Sequence, residues 1–153
     1  MEKFSDGIRS GKLARFIASF SPATRAAVIL ALPFALVDAV HYYTAGTAIV
    51  VSLPLLALLY LACGVLAARF TIQLEREGSQ PKGAGFRAGV TLWAFSTAIN
   101  TLVGIVAGVL SLGVTALLGI PYLLLCGPVH AVFGGLAGLL GAGIYLSVYR
   151  RML

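Results

Sequence analysis

Four apolar runs, each long enough to cross a bilayer, leave this chain little freedom in how it folds. Crossing about 30 Å of hydrocarbon takes roughly 20 helical residues, and the stretches 23–43, 47–69, 87–112 and 128–149 all reach that length. Of the 153 residues 59% are hydrophobic and only 10% charged, where soluble domains carry about 25% charged residues. Lipid cannot hydrogen-bond an exposed peptide group, so spans with no barrel pattern must be helices. The expected fold is all-α: a polytopic membrane protein with a four-helix transmembrane domain over 22–153 and a short N-terminal segment over 1–21. Lys3, Arg9, Lys12 and Arg15 interrupt the first 20 residues, which therefore do not read as a cleavable signal peptide. Cys63 and Cys126 fall in different runs without a CxxC; they read as packed thiols rather than a redox pair or disulfide framework.

The 11 basic residues sort by segment. Lys3, Arg9, Lys12, Arg15 and Arg25 lie before or at the start of the first span; Arg69, Arg76, Lys82 and Arg87 surround the loop 70–86; Arg150 and Arg151 follow the fourth. None falls in 44–46 or 113–127. The positive-inside rule then places both termini and the middle loop on the cytoplasmic side of the inner membrane. An even number of spans follows, so the apolar stretch 111–128, SLGVTALLGIPYLLLCGP, is expected not to cross. It reads as the end of the third helix, a break near Gly119 to Pro121, and an apolar connection, re-entrant or interfacial, ending at Gly127 and Pro128. The net charge of +6 becomes a property of the cytoplasmic face and suits membrane lipids with anionic headgroups. Nucleic acid is not an expected partner, because no soluble domain carries a binding surface.

In KLARFIASF, residues 12–20, the residues Leu13, Phe16, Ile17 and Phe20 recur at helical spacing, the pattern of an amphipathic helix lying in the headgroup region or docking on a partner subunit. Ser21 and Pro22 provide an N-cap and a first-turn residue for the first span. The polar segment 73–85 has no phosphate-cradling loop and reads as a connector.

Thirteen of the 18 glycines lie between Gly83 and Gly143. Gly104, Gly108 and Ser111 on the third span, and Gly134, Gly138 and Gly141 on the fourth, repeat one small-residue spacing. Such faces let helix backbones approach closely where lipid is as apolar as the side chains. They predict contact between these two helices or between copies of the chain. The second half, from GAGFRAGVTLWAF through GGLAGLLGAGIYLSVYRR with Gly85, Arg87 and Gly89 at the entry to the third helix, resembles the small glycine-rich four-helix integral membrane proteins of unknown function frequent in archaeal genomes. The resemblance covers about residues 83–150 and implies a fold of that type; it supplies no activity, cofactor or site residue.

The stretch VDAVHYY, residues 37–43, puts Asp38 and His41 on one helix face. Asp38 is the only acidic residue within any span and lies about 22 Å along its helix from Ala23, with Tyr42 and Tyr43 beyond it as an interfacial belt. If the fourth helix starts near Pro128 on the same side, His130 joins the layer; Asn100, one turn after Ser96, is the other polar group of note. An ionised Asp within a span costs about 2.5–3.5 kcal/mol on insertion scales, so a partner or a function is expected. Three readings stand open. Asp38 bonds a histidine and fixes packing, or is simply wet; the Asp/His layer responds to protons or cations; or Asp38, His41 and His130 bind a transition metal. No catalytic signature appears, so no enzyme, no cofactor and no committed metal site is expected. The expected role is that of a non-catalytic accessory subunit or self-associating unit with a protein partner or a homo-oligomeric one. The alternative is a small oligomeric ion- or proton-coupled transporter or channel lined by Asp38, His41, His130 and Asn100.

Overall fold

The computed structural model describes Gly11 and residues 15–17, 19–43, 49–73, 80–110 and 114–152, with the side chains of all but 42, 43, 49, 107–110, 114–126 and 152. Four helices account for nearly all of it: α1 (Pro22–Tyr43), α2 (Ile49–Gln73), α3 (Pro81–Leu110) and α4 (Val114–Met152). The Thr24 amide donates to Ser21 Oγ at 3.2 Å, which fixes the start of α1 with Pro22 in the first turn. At the head of α3 the Ala84 amide donates to the Gln80 carbonyl at 2.9 Å, with Pro81 again in the first turn. All four helices are long and apolar enough to cross a membrane. Leu32, Leu36, Leu58, Phe133 and Leu140 are each more than 60% exposed, a surface that suits lipid and not water.

The helices form a four-membered bundle in which α2 and α3 are central: α1 packs on both, α4 packs on both, and among the described residues α1 and α4 do not meet. Successive helices run antiparallel. His41 meets Ser52, and the Arg25 guanidinium lies 5.3 Å above the Phe70 ring. Cys63 Sγ donates to the Ala88 carbonyl at 3.6 Å, and Gly127 faces Trp93 while Gly89 faces Gly134. One end of the bundle, where α1 and α3 begin and α2 and α4 finish, therefore gathers Arg25, Arg69, Lys82, Arg87, Arg150 and Arg151. The core between the helices is built from small and aromatic residues: Ala26, Ala27, Phe34, Tyr60, Cys63, Ala67, Ala88 and Leu92.

Backbone contact between glycines closes α4 onto its neighbours. A Cβ placed on Gly64 of α2 would collide with the Gly138 carbonyl of α4, and one placed on Gly85 of α3 would stand 2.5 Å from the same oxygen. Three helices thus converge on one peptide group, a separation only residues without a side chain allow. Gly134 abuts Tyr60 and Gly89, and Gly141 abuts Leu61. The α3 glycines that meet α4 are Gly85 and Gly89, whereas Gly104 has no heavy atom within 4 Å of its would-be Cβ. Ser111 and the surroundings of Gly108 lie outside the described residues.

Several boundaries differ from the expected ones. The break at Gly119 to Pro121 and the irregular connection ending at Gly127 and Pro128 are replaced by continuous helix, since α4 runs without interruption from Val114. Pro121 and Pro128 each remove one backbone donor, but an open chain in hydrocarbon would strand many more peptide groups. At about 1.5 Å per residue the 39 residues of α4 extend about 58 Å. The loop expected over 70–86 contracts, because α2 continues to Gln73 and α3 starts at Pro81; residues 74–79 lie outside the described ones. Asp38 is level with Ser96 and Asn100. From there α1 has five residues left and α3 ten beyond Asn100, so α3 outruns α1 by about 7 Å. In the N-terminal segment, residues 15–17 are helical and Phe16 meets Phe20 edge-on at 4.9 Å; Phe16 is exposed and Ile17 half-buried, and Leu13 lies outside the described residues.

Gly64→Ala is expected to destabilise the bundle by about 1–3 kcal/mol through overpacking, while Gly104→Ala, placed in open space, changes stability by less than about 0.5 kcal/mol or raises it through helix propensity. Unfolding of the micellar protein by sodium dodecyl sulfate separates the two; equal destabilisation would contradict the packing described.

Candidate functional site

The most polar place in the bundle lies where α1, α2 and α3 approach their ends opposite the basic residues. Asp38 Oδ2 accepts two hydrogen bonds from α3, one from Ser96 Oγ and one from Asn100 Nδ2, each at 2.9 Å. Ser96 and Asn100 are one turn apart, so both project from one face of α3 toward α1, and Asn100 Nδ2 also lies 3.5 Å from Ser96 Oγ. Ser96 is fully buried and Asp38 and Asn100 are half-buried. One turn further along α1, His41 Nδ1 and Ser52 Oγ of α2 share a hydrogen bond of 2.6 Å, with Ser52 buried. The end of α1 is thereby tied to α3 by its carboxylate and to α2 by its imidazole.

This arrangement brings together two of the four sequence candidates, Asp38 and Asn100, and seats His41 beside them. It leaves His130 out of the layer. Gly89 meets Gly134 and Gly85 meets Gly138 backbone to backbone, so His130 sits level with Trp93, about 10 Å nearer the basic end than Asn100. It also belongs to α4, which does not meet α1. The expectation of a shared depth assumed that α4 begins near Pro128; the helix begins 14 residues earlier, at Val114, and its register moves His130 inward. Among the described residues no three His, Cys, Asp or Glu side chains converge, so Asp38, His41 and His130 do not form a ligand set. Tyr42 and Tyr43 side chains and the Cys126 thiol lie outside the described residues, while Cys63 is buried between α2 and α3.

One partner, Ser52, escaped the sequence reading; it is recoverable in hindsight, because it lies one turn into the apolar run that follows His41. Asn100 and Ser96 were singled out, but their pairing with Asp38 depends on α1 lying beside α3, which no local pattern encodes. Below the polar layer, toward the basic end, the interior is closed by Phe34, Leu56, Tyr60 and Leu92, all buried, with Phe34 and Tyr60 rings 4.6 Å apart. Farther along that route Cys63 Sγ donates to the Ala88 carbonyl at 3.6 Å and Thr71 to the Ala67 carbonyl of its own helix at 2.7 Å.

No protein-family model, no curated protein and no solved structure matches this chain. Chemically, the site can do two things with the groups on hand: hold a carboxylate in an apolar surround with two neutral donors, and clasp three helices at one level.

Asp38→Ala leaves Ser96 and Asn100 without their shared acceptor and is expected to lower stability by about 1–3 kcal/mol. A double-mutant cycle pairing it with Asn100→Ala is expected to give a coupling of about 0.5–2 kcal/mol by the same unfolding titration; additive losses would mean that the bond contributes nothing.

Proposed function

We propose that the chain is a non-catalytic integral membrane protein that acts through helix–helix contact, as an accessory subunit of a larger membrane assembly or as a self-associating unit. Its setting is the cytoplasmic membrane, with both termini and the basic end inside, by the charge rule that orients membrane helices. The observation that carries this reading is the pairing of Asp38 with Ser96 and Asn100 above a packed apolar interior. A continuous ion or proton path would need polar groups in unbroken succession from Asp38 toward the basic end; the Tyr60 hydroxyl and the Cys63 thiol are isolated on that route among buried Phe34, Leu56 and Leu92.

The distribution of covered surface adds support. Gly134, Gly138 and Gly141 are consumed by contacts within the chain, whereas Gly104 is open and Leu102, Val103, Ile105 and Val106 around it are all more than half exposed. The α3 span is the least covered of the four, with 17% of its apolar stretch buried against 28–33% in the others. This stretch of α3 is the contact surface the reading favours.

Purification of the full chain from its native host in mild detergent, with mass spectrometry of what co-elutes, is expected to recover a partner or further copies in fixed stoichiometry. Gly104→Leu is expected to abolish that recovery while leaving the thermal midpoint of the isolated protein unchanged. Proteoliposomes are expected to show proton and sodium flux no greater than empty vesicles. Flux that Asp38→Asn removes would overturn the reading in favour of a transporter.

A further inference from the structure

Two open grooves flank the first turns of α3 at the basic end of the bundle. On one side, between α3 and the start of α1, Arg87, Ser21, Thr24 and Thr91 share a groove with Phe86 and Val90. On the other, between α3 and α4, Lys82 and Ser147 share a groove with Leu139, Leu140 and Ile144. Formed by different helix pairs, each holds one cation and an apolar wall, with three hydroxyls in the first groove and one in the second. No acidic residue lines either. In the second groove the polarity is also ordered along the helix axis, with Leu139 and Leu140 toward the middle of the bundle and Ser147 toward the basic end.

We propose that each groove binds one anionic glycerophospholipid, with its phosphate on Arg87 or Lys82 and an acyl chain along the apolar wall. Charge complementarity argues for this occupant. A chain of net charge +6 that gathers its cations at one end of a bundle faces an anionic leaflet there, and Arg87 and Lys82 are both exposed. The walls argue against a water-borne anion, because Phe86 is 38% exposed, Ile144 54% and Leu140 62%, and such surface is covered by hydrocarbon in a membrane. The guanidinium of Arg87 can engage a phosphate through two parallel N–H groups, whereas the Lys82 ammonium meets it as a point charge.

The hydroxyls refine the headgroup. Thr91 Oγ1 already donates to the Arg87 carbonyl at 2.7 Å, and Ser147 Oγ to the Ile144 carbonyl at 2.8 Å. Their oxygens therefore remain as acceptors, which match a headgroup that carries hydroxyl donors of its own beside a single phosphate charge. Phosphatidylglycerol has that chemistry; phosphatidylcholine, with a quaternary ammonium and no donor, does not. This assignment concerns surfaces distinct from the Gly104 region and stands or falls apart from the association reading.

The test is native mass spectrometry of the full-length protein released from nanodiscs holding equal amounts of phosphatidylglycerol and phosphatidylcholine with matched acyl chains. Two retained phosphatidylglycerol molecules per chain are expected, each preferred over phosphatidylcholine about fivefold for the one basic residue it engages. Arg87→Gln and Lys82→Gln are each expected to lose one bound lipid, while Arg150→Gln, which removes the same charge from the same end outside both grooves, keeps both. All three positions are exposed, and thermal midpoints measured in phosphatidylcholine alone check that the variants fold. Equal retention of the two lipids overturns the proposal, as does a loss with Arg150→Gln as large as with Arg87→Gln. Displacement of the lipid by millimolar inorganic phosphate would assign the grooves to a soluble anion and likewise overturn it.

Discussion

Hydrocarbon offers a peptide group no hydrogen bond, and the rest of this structure follows from that constraint. It explains why the described elements are helices, and why α4 passes through Gly119, Pro121, Gly127 and Pro128 without interruption. Each proline forfeits one bond, whereas an irregular segment would leave donors and acceptors stranded together. A proline that would end a helix in water is therefore a local defect in a membrane span.

The same solvent removes the usual reason for helices to associate, since lipid is as apolar as leucine. The bundle uses two substitutes. On one side, α4 is drawn against α2 and α3 by the absence of side chains, with the Gly138 carbonyl nested between Gly64 and Gly85; dispersion between close backbones and weak C–H···O contacts hold that seam. On the other side, α1 has no glycine at all. It presents Ala23, Ala26, Ala27 and Ala31 for packing near the basic end, and at the opposite end it relies on the carboxylate of Asp38 and the imidazole of His41 to reach α3 and α2. Hydrogen-bonding side chains within a span thus stand at the opposite end from that alanine face.

The number of spanning helices and the start of the first were legible because they depend on local composition: apolar runs and the Ser21–Pro22 start. Which helices adjoin was not. A span that is apolar all round carries no directional signal to mark its buried face, so the rhombic arrangement with α1 and α4 apart could not be read, and with it went the partnership of Asp38 with Ser96 and Asn100. The glycine stripe of α4 was visible as spacing, but its partners on α3 proved to be Gly85 and Gly89, at the far end of that helix from Gly104. His130 illustrates how one boundary propagates: moving the start of α4 back to Val114 shifts the register of every later residue against α3, and a histidine expected beside His41 ends up elsewhere.

The unequal lengths of the helices have a consequence for the surrounding bilayer. The α1–α2 pair presents about one bilayer of apolar helix, while α3 and α4 carry on past it, and every residue from 101 to 126 is uncharged. The run of apolar helix is therefore longer on one flank of the bundle than on the other. A bilayer of uniform thickness cannot match both heights, so it must stretch beside the α3–α4 flank or the molecule must tilt toward its shorter side, each at a fraction of a kcal/mol per Å.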